Sequence, residues 1–425
     1  MSDLEFMRLA LRLARRGYGT TSPNPMVGAV LVKGARIIGR GWHRKAGLPH
    51  AEIEALRDAQ KHGHSPRGAT LYVSLEPCCT HGRTPPCTDA IIAAGIQRVV
   101  VGITDPNPNH AGKGFKILRR EGIAVSIINE LADSGRRCLP GARVPTGPMV
   151  LHRRAASVAP YQRVADQCAR LNETFNHWIV HRTPFVTVKA AMTLDGKIAT
   201  ASGESKWITG EKARAHAMKL RRGSDAILVG VNTILADDPA LTVRPGGRER
   251  PGRMEGERFK LAKPVRRIVL DSLARTPLTA KVVGDQAAAF TTIVVSKHAP
   301  RQRVAALVKR VNVIVAPTAK ISSPVAGRPS LDLPWLLKRL GADNVTSLLV
   351  EGGGEVNASF LLGGLAQRVA FFYAPKVLGG RSARKGVAGE GAKRLNDVLP
   401  LHAVRWRKLG DDLLLTALAG RRLAS

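Results

Sequence analysis

Nowhere in this 425-residue chain do apolar residues run for the roughly 20 positions that a membrane-spanning helix needs. Asp3 and Glu5 interrupt the first helix-like stretch, which argues against a secretory leader. Cysteines number five, an odd count, and Cys79, Cys138 and Cys168 have no evident partner in the sequence. A disulfide framework is therefore not indicated, and a soluble protein in a reducing, cytoplasmic setting is expected. Aromatic residues make up 4% of the chain, few for the stacking platforms of single-strand nucleic-acid binders. Acidic side chains are scarce too: 32 Asp and Glu stand against 66 Lys and Arg, a formal charge of +34. That excess is dominated by arginine and spread along the chain, so it suits small anionic ligands as well as nucleic acid and constrains function weakly. No repeat of solenoid length is visible, and no G-x-G-x-x-G follows a first strand, which leaves a Rossmann dinucleotide site unsupported.

What the chain does contain is a metal-ligand inventory. His50 stands in His50-Ala51-Glu52, and Cys78 and Cys87 bound the run Cys78-Cys79-Thr80-His81-Gly82-Arg83-Thr84-Pro85-Pro86-Cys87. One imidazole and two thiolates hold zinc while leaving a fourth position for water, whose pKa zinc lowers to about 7. Glu52 lies two residues from the imidazole, where zinc deaminases place the carboxylate that moves protons. Their usual signature is H-x-E with P-C-x-x-C. Here the residue three after Cys78 is His81, and Cys87 follows Cys78 by nine positions. An isolated H-x-E carries little weight, and paired cysteines are often small buried hydrophobes. Their combination with a strand-like Thr70–Leu75 before the thiols and a helical Thr88–Gly95 after them carries the assignment. Cys87 is expected at a helix N-terminus, where the macrodipole favours a thiolate.

At this length two domains are expected, and 44% hydrophobic content is ordinary for globular protein. The spacing of Leu4, Met7, Leu11 and Ala14 predicts a helix from about Asp3 to Arg16, stopped by Gly17. A hairpin is predicted from Val27–Val32 and Arg36–Gly41 around Lys33-Gly34, then a helix from His50 to near Gly63 and strands at 70–75, 98–104 and 124–128. Residues 132–183, rich in Pro and Arg, read as an interdomain linker carrying an insertion at roughly 132–165. After Pro184, strand-like runs at 185–191, 226–229, 267–270, 292–296, 311–316, 347–350 and 369–374 alternate with helical patterns. Residues 244–264 read as a surface loop. The fold class is α/β in both halves.

The long cysteine spacing with G-R-T-P-P-C resembles the deaminase half of the bifunctional riboflavin-biosynthesis enzymes, which deaminate a phosphoribosylated diaminopyrimidine and then reduce its ribose. That resemblance implies a cytidine-deaminase-like domain over 1–131, with His50, Cys78 and Cys87 on zinc and Glu52 as the catalytic proton shuttle. It places Asn24, His43, His81, Arg83, Asp105 and Asn107 around the substrate. Cys79 stands where the family more often has serine. Three segments of the second half, in this order, resemble the family's dihydrofolate-reductase-like, NADPH-binding domain, expected over 184–425. They are Lys189–Lys197 with Ser202–Thr209, Gly230–Pro239, and Val350-Glu351-Gly352-Gly353-Gly354-Glu355. By that resemblance Ala191, Trp207, Thr233, Asp237, Ser272, Gly353 and Gly354 contact NADPH. Ser205, Arg221, Leu241, Arg244 and Glu351 contact substrate. Chemistry is compatible with these roles: two arginines can fork onto a phosphate, and a tryptophan can lie against a ring. Zn2+ and NADPH are the expected cofactors, a small phosphorylated pyrimidine the expected partner, and a homo-oligomer the expected assembly. Two rivals stand beside this reading. H-A-E with high positive charge also suits a nucleic-acid deaminase, against which the cysteine spacing and the second half argue. A zinc-stabilised binding protein without catalysis is the other.

Overall fold

The computed structural model describes residues 1–82, 84–131, 148–243, 264–319 and 330–420. The chain divides into two compact units, Met1–His181 and Arg182–Ser425. Among the described residues, no helix is long and apolar enough to cross a membrane.

The first unit opens with α1 (Asp3–Ala14), whose Ser2 and Glu5 form a reciprocal capping box. Five strands follow: β1 (Gly28–Lys33), β2 (Arg36–Trp42), β3 (Thr70–Val73), β4 (Arg98–Val101) and β5 (Ala124–Ile127). They lie in the order β2-β1-β3-β4-β5, antiparallel across β2, β1 and β3 and parallel from β3 to β5. Strand alternation splits their apolar residues between two cores. Ala29, Leu31, Leu71, Val73, Val99 and Val101 meet α2 (Ala51–Lys61), α3 (Cys87–Ala93) and α4 (Lys113–Arg120) on one face. Val30, Val32, Tyr72 and Val100 meet α1 on the other, together with α5 (Pro148–Leu171).

That last packing corrects the linker expectation. Residues 148–181 form α5 and α6 (Glu173–His181) and belong to the first unit, while 132–147 lie outside the described residues. Val164, Ala165 and Cys168 are buried beside Met7 and Leu11. Pro160 sits inside α5 rather than ending it. The Asn172 side chain brackets Met26, accepting from its N–H at 2.7 Å and donating to its carbonyl at 2.9 Å. Val164, Ala165 and Cys168 recur at helical spacing, and burial of that apolar stripe decides the structure.

In the second unit, β6 (Phe185–Thr193), β7 (Lys197–Ala199), β8 (Ala226–Gly230), β9 (Arg266–Leu270), β10 (Thr291–Ser296), β11 (Asn312–Ala316), β12 (Ser347–Val350) and β13 (Arg368–Ala374) match the expected strands closely, apart from the short β7. The chain then adds β14 (Arg384–Lys385), β15 (Leu401–Leu409) and β16 (Asp412–Ala419), none of them expected. Nine of these form one sheet, β11-β10-β9-β8-β12-β6-β13-β16-β15, parallel as far as β13 and antiparallel beyond it; β14 pairs with β7 separately. Helices α7 (Glu211–Arg222), α8 (Val231–Asp237), α9 (Lys281–Gly284), α10 (Arg301–Val308), α11 (Leu333–Ala342) and α12 (Gly354–Leu362) connect the strands. Both faces of the parallel part are buried: Ala226 and Leu228 of β8 face the core with α11 and α12, Ile227 and Val229 the core with α8 and α10. Arg267 is fully buried, with its guanidinium forked onto Asp285 at 2.6 and 2.7 Å. The same group donates to Thr291 Oγ1 at 2.8 Å, the Ala240 carbonyl at 2.9 Å and the Val282 carbonyl at 3.1 Å.

Candidate active sites

In the first unit, three element ends converge. His50 stands at the N-cap position of α2, Cys78 follows β3, and Cys87 is the first residue of α3, the helix N-terminus the sequence predicted for it. The start of α2 rides directly on β2: a Cβ at Gly41 would lie 2.2 Å from the Ala51 carbonyl oxygen, and one at Gly39 2.3 Å from that of Ala55. Only glycine permits so close an approach. His50 Nδ1 lies 3.5 Å from Cys78 Sγ and 3.4 Å from Cys87 Sγ. A tetrahedral zinc with ordinary Zn–N and Zn–S lengths gives an N···S edge of roughly 3.5 Å. The three groups therefore fit that ion. Among the described residues they are the cluster with metal-ligand geometry.

The two thiols are coupled to one another. Hydrogen bonding to Cys87 holds Cys78 down at about 4, with His50 adding to the effect, and Cys87 is pushed up as the partner that keeps its proton. The Cys87 N–H also donates to Cys78 Sγ at 3.4 Å. Glu52, one residue into α2, is 3% exposed, and its Oε2 has no hydrogen-bond partner. Burial pushes its carboxyl up to about 7. A buried carboxylate with one oxygen left without a partner, beside a three-ligand cluster, is a group prepared to take a proton.

Around this centre, Asn24 Nδ2 donates to His43 Nε2 at 3.2 Å, and His43 Nδ1 lies 3.0 Å from the Pro49 carbonyl. Burial lowers the His43 pKa, so the ring is neutral, with Nδ1 protonated and Nε2 accepting. The His43 ring stands edge-on to His50 at 5.2 Å. Asp105 and Asn107 are both buried in the loop after β4; Asp105 Oδ1 accepts from the Asn107 N–H at 2.9 Å, and burial raises the Asp105 pKa. His81 is exposed, and Arg83 lies outside the described residues.

Glu76 was missed in the sequence, where it reads only as the residue before Pro77. It is 4% exposed and accepts three backbone N–H groups, from Asp105 at 3.1 Å, Gly112 at 3.0 Å and Gly114 at 3.0 Å. One carboxylate thus ties the cysteine loop to the loop bearing Asp105 and Asn107. Glu76→Gln keeps the shape but turns an amide N–H2 toward these donors. The expected cost is ~1.5–3 kcal/mol for each charge-assisted bond lost. A fall in thermal midpoint with zinc content retained checks this; an unchanged midpoint contradicts it.

In the second unit, a cleft of about 840 Å3 lies at the carboxyl ends of β9, β8 and β12. Sheets of this kind place ligands there. Of the predicted cofactor contacts, Thr233, Asp237, Ser272, Gly353 and Gly354 line it, as do the predicted substrate contacts Ser205 and Glu351. Ser205 Oγ donates to Asp237 at 3.2 Å, joining two of the sequence segments. A Cβ at Gly353 would meet no protein atom within 4 Å, so the backbone here is open to a ligand at the start of α12. Apolar walls, a bare glycine turn and polar groups from three strand ends fit a dinucleotide.

Other predicted residues lie elsewhere. The Arg221 fork, expected on a phosphate, is engaged with Glu351 at 2.6–3.2 Å and with the Thr242 carbonyl at 3.2 Å. Leu241 is 3% exposed with its side chain in the core beside Ile227 and Val229, held there by a backbone φ of 50°. Ala191 packs toward Ala213 and Phe372. Trp207 is 66% exposed under the Arg214 guanidinium, 4.7 Å from its ring centroid. Neither Ala191, Trp207, Leu241 nor Arg221 is among the cleft-lining residues, and Arg244 is outside the described residues.

Residues 1–103 match the family model of the cytidine and deoxycytidylate deaminase zinc-binding region, and residues 184–415 that of the RibD C-terminal domain. The riboflavin biosynthesis protein RibD of Actinobacillus pleuropneumoniae is 38% identical over 416 residues, covering 98% of this chain and 95% of that protein. The RibD of Aquifex aeolicus is 39% identical, covering 97% of each. Among solved structures, a RibD of Acinetobacter baumannii superposes with a TM-score of 0.77 at 33% identity, covering 99% of each chain. A diaminohydroxyphosphoribosylaminopyrimidine deaminase/5-amino-6-(5-phosphoribosylamino)uracil reductase of Thermotoga maritima gives 0.71 at 31% identity, covering 98% of each chain. With both halves matched in order over nearly their whole length, the chain belongs to the RibD family, the bifunctional zinc-dependent deaminases and NADPH-dependent reductases of riboflavin biosynthesis.

Proposed function

We propose that the first unit hydrolytically deaminates 2,5-diamino-6-(5-phosphoribosylamino)pyrimidin-4-one, and that the second reduces the ribosyl group of the product to ribityl. The observation that carries the deaminase reading is the His50, Cys78 and Cys87 triangle beside the buried Glu52, whose Oε2 has no hydrogen-bond partner. Zinc held by the triangle supplies a water activated at neutral pH. With zinc bound there, Glu52 would take one proton from the activated water and return it to the departing amine, which leaves as ammonia, while the water's oxygen becomes the product's carbonyl and its other proton ends on the ring nitrogen. Asn24, oriented by His43, holds the pyrimidine edge, since a side-chain amide both donates and accepts. Asp105, Asn107, His81 and Arg83 are assigned to substrate by resemblance. NADPH supplies the hydride in the second unit. Thr233, Asp237, Ser272, Gly353 and Gly354 hold that cofactor, with Ala191 and Trp207 assigned to it by resemblance. Ser205, Arg221, Leu241, Arg244 and Glu351 are assigned to substrate on the same ground.

The reading divides the chain into a deaminase over 1–131, a connecting segment over 132–183 whose helices complete the first unit, and a reductase over 184–425. It makes the protein a cytoplasmic homo-oligomer; the reducing compartment suits the thiols of Cys78, Cys79, Cys87 and Cys168, which are unpaired among the described residues. Ammonia release from the free phosphoribosyl pyrimidine, compared with release from RNA, tests the substrate class. Turnover of the pyrimidine alone is expected; activity on RNA alone would replace this reading with a nucleic-acid deaminase. Chelation of zinc should end ammonia release and leave NADPH binding intact, because the cleft draws no residue from the zinc cluster. Loss of both together contradicts the assignment of one site to each unit.

A further inference from the structure

The reductase cleft presents a second place for an anion, separate from the glycine turn. Its rim follows three adjacent parallel strands, β12, β8 and β9, with Val350 paired to Leu228 and Gly230 paired to Leu270. Neighbouring strands lie about 4.8 Å apart, so the ends of β12 and β9 are separated by roughly 10 Å. Gly353 and Gly354 stand at the first of these ends, and Ser272, Leu273 and Arg275 at the second.

Arg275 has the properties of a held but unneutralised cation. The turn that carries it is fixed from below: Asp271 Oδ2 accepts the Thr276 N–H at 2.6 Å and the Thr276 hydroxyl at 2.7 Å. Arg303 Nε donates to the Ala274 carbonyl at 2.5 Å. The Arg275 guanidinium makes one hydrogen bond, Nη2 to Asn232 Oδ1 at 2.8 Å, at the start of α8. No carboxylate of a described residue pairs with it, so Nε and Nη1 remain available to a ligand in the cleft. Arg384 and Lys385, the other cleft cations, belong to the glycine end, where the Lys385 carbonyl oxygen lies 2.4 Å from the position of a Cβ on Gly354.

A dinucleotide with its pyrophosphate on the glycine turn could span that distance with its adenosine ribose laid across β8 toward β9. We propose that Arg275 binds the 2′-phosphate of NADPH and is the residue that sets NADPH apart from NADH. The inference rests on the cofactor reading of this cleft. A planar, always-charged fork already pinned on one nitrogen offers two parallel donors to a phosphate with little ordering left to do. NADH presents a hydroxyl there, to which the same fork gives little.

Calorimetric titration of the full-length protein with NADPH, NADH, adenosine 2′,5′-bisphosphate and AMP tests this without turnover. In Arg275→Ala, affinity for NADPH and for the bisphosphate should fall roughly 10- to 100-fold, the scale of one or two charge-assisted bonds, while NADH and AMP bind as before. Unchanged NADH binding also reports that the variant is folded. Arg384→Ala should weaken both cofactors alike and keep the preference. The proposal is overturned if Arg275→Ala retains the wild-type ratio of NADPH to NADH affinity, or if the ratio collapses in Arg384→Ala instead. A wild-type protein that binds neither cofactor removes the cleft assignment itself.

Discussion

Glu52→Gln is expected to lower ammonia release by at least 10²-fold, the lower end of general acid–base contributions, and to leave zinc content unchanged. The substitution is isosteric and replaces none of His50, Cys78 and Cys87, and an amide can still meet the Cys87 thiol that Glu52 hydrogen-bonds. It removes the buried carboxylate whose Oε2 has no hydrogen-bond partner and whose pKa burial pushes up to about 7, near the value at which a group both accepts and returns a proton. An amide does neither. Because the same oxygen serves as base in one half of the reaction and acid in the other, its removal affects both halves, and the loss should approach the upper end of about 10⁴-fold. Metal analysis and an ammonia assay on one preparation check this. Turnover within tenfold of wild type would mean that Glu52 is a structural residue and that the proton takes another route.

The second large effect lies at a residue that does not line the cleft. Arg267→Met removes a guanidinium that is fully buried and serves Asp285, Thr291 and the carbonyls of Ala240 and Val282. Breaking a buried pair from one side costs ~3–5 kcal/mol, because the partner groups stay buried without compensation. For a unit of this size each kcal/mol moves the melting temperature by about 2–4 °C, so a drop of roughly 6–20 °C is expected for the reductase transition. Arg267→Lys should recover little of it, since three donors on a point charge cannot reproduce a planar fork with five. A shift of less than about 2 °C in Arg267→Met would show that Asp285, whose side chain is 27% exposed, simply turns to solvent.

The zinc cluster was legible in the sequence because its chemistry is carried by rare residue types at fixed spacing: His50, Cys78 and Cys87 have few alternative readings together. The strands of the parallel sheet were legible for a similar reason, as short β-branched runs such as Thr291–Ser296 bounded by polar segments. What was lost is what depends on contacts distant in sequence. The run Leu413-Leu414-Leu415 has no strand-like alternation, and it becomes β16 through pairing with β13. Helix α5 hides its stripe among arginines and Pro160, and only packing against α1 reveals it. Glu76 gives no signal at all, since three backbone N–H groups from positions 105, 112 and 114 converge on it only in the folded chain. The same holds for Arg221: its type suggested a phosphate, whereas its position beside Glu351 makes it half of an ion pair.

The close seating of α2 on β2 has an evolutionary meaning. At Gly39 and Gly41 the aim of the imidazole depends on atoms that are missing, since any side chain would press on the carbonyls of Ala55 and Ala51. The aim of a metal ligand thus depends on two positions that supply no ligand themselves. A drift there toward alanine would blunt the enzyme as surely as a lost ligand, and do so while every reactive group was still present.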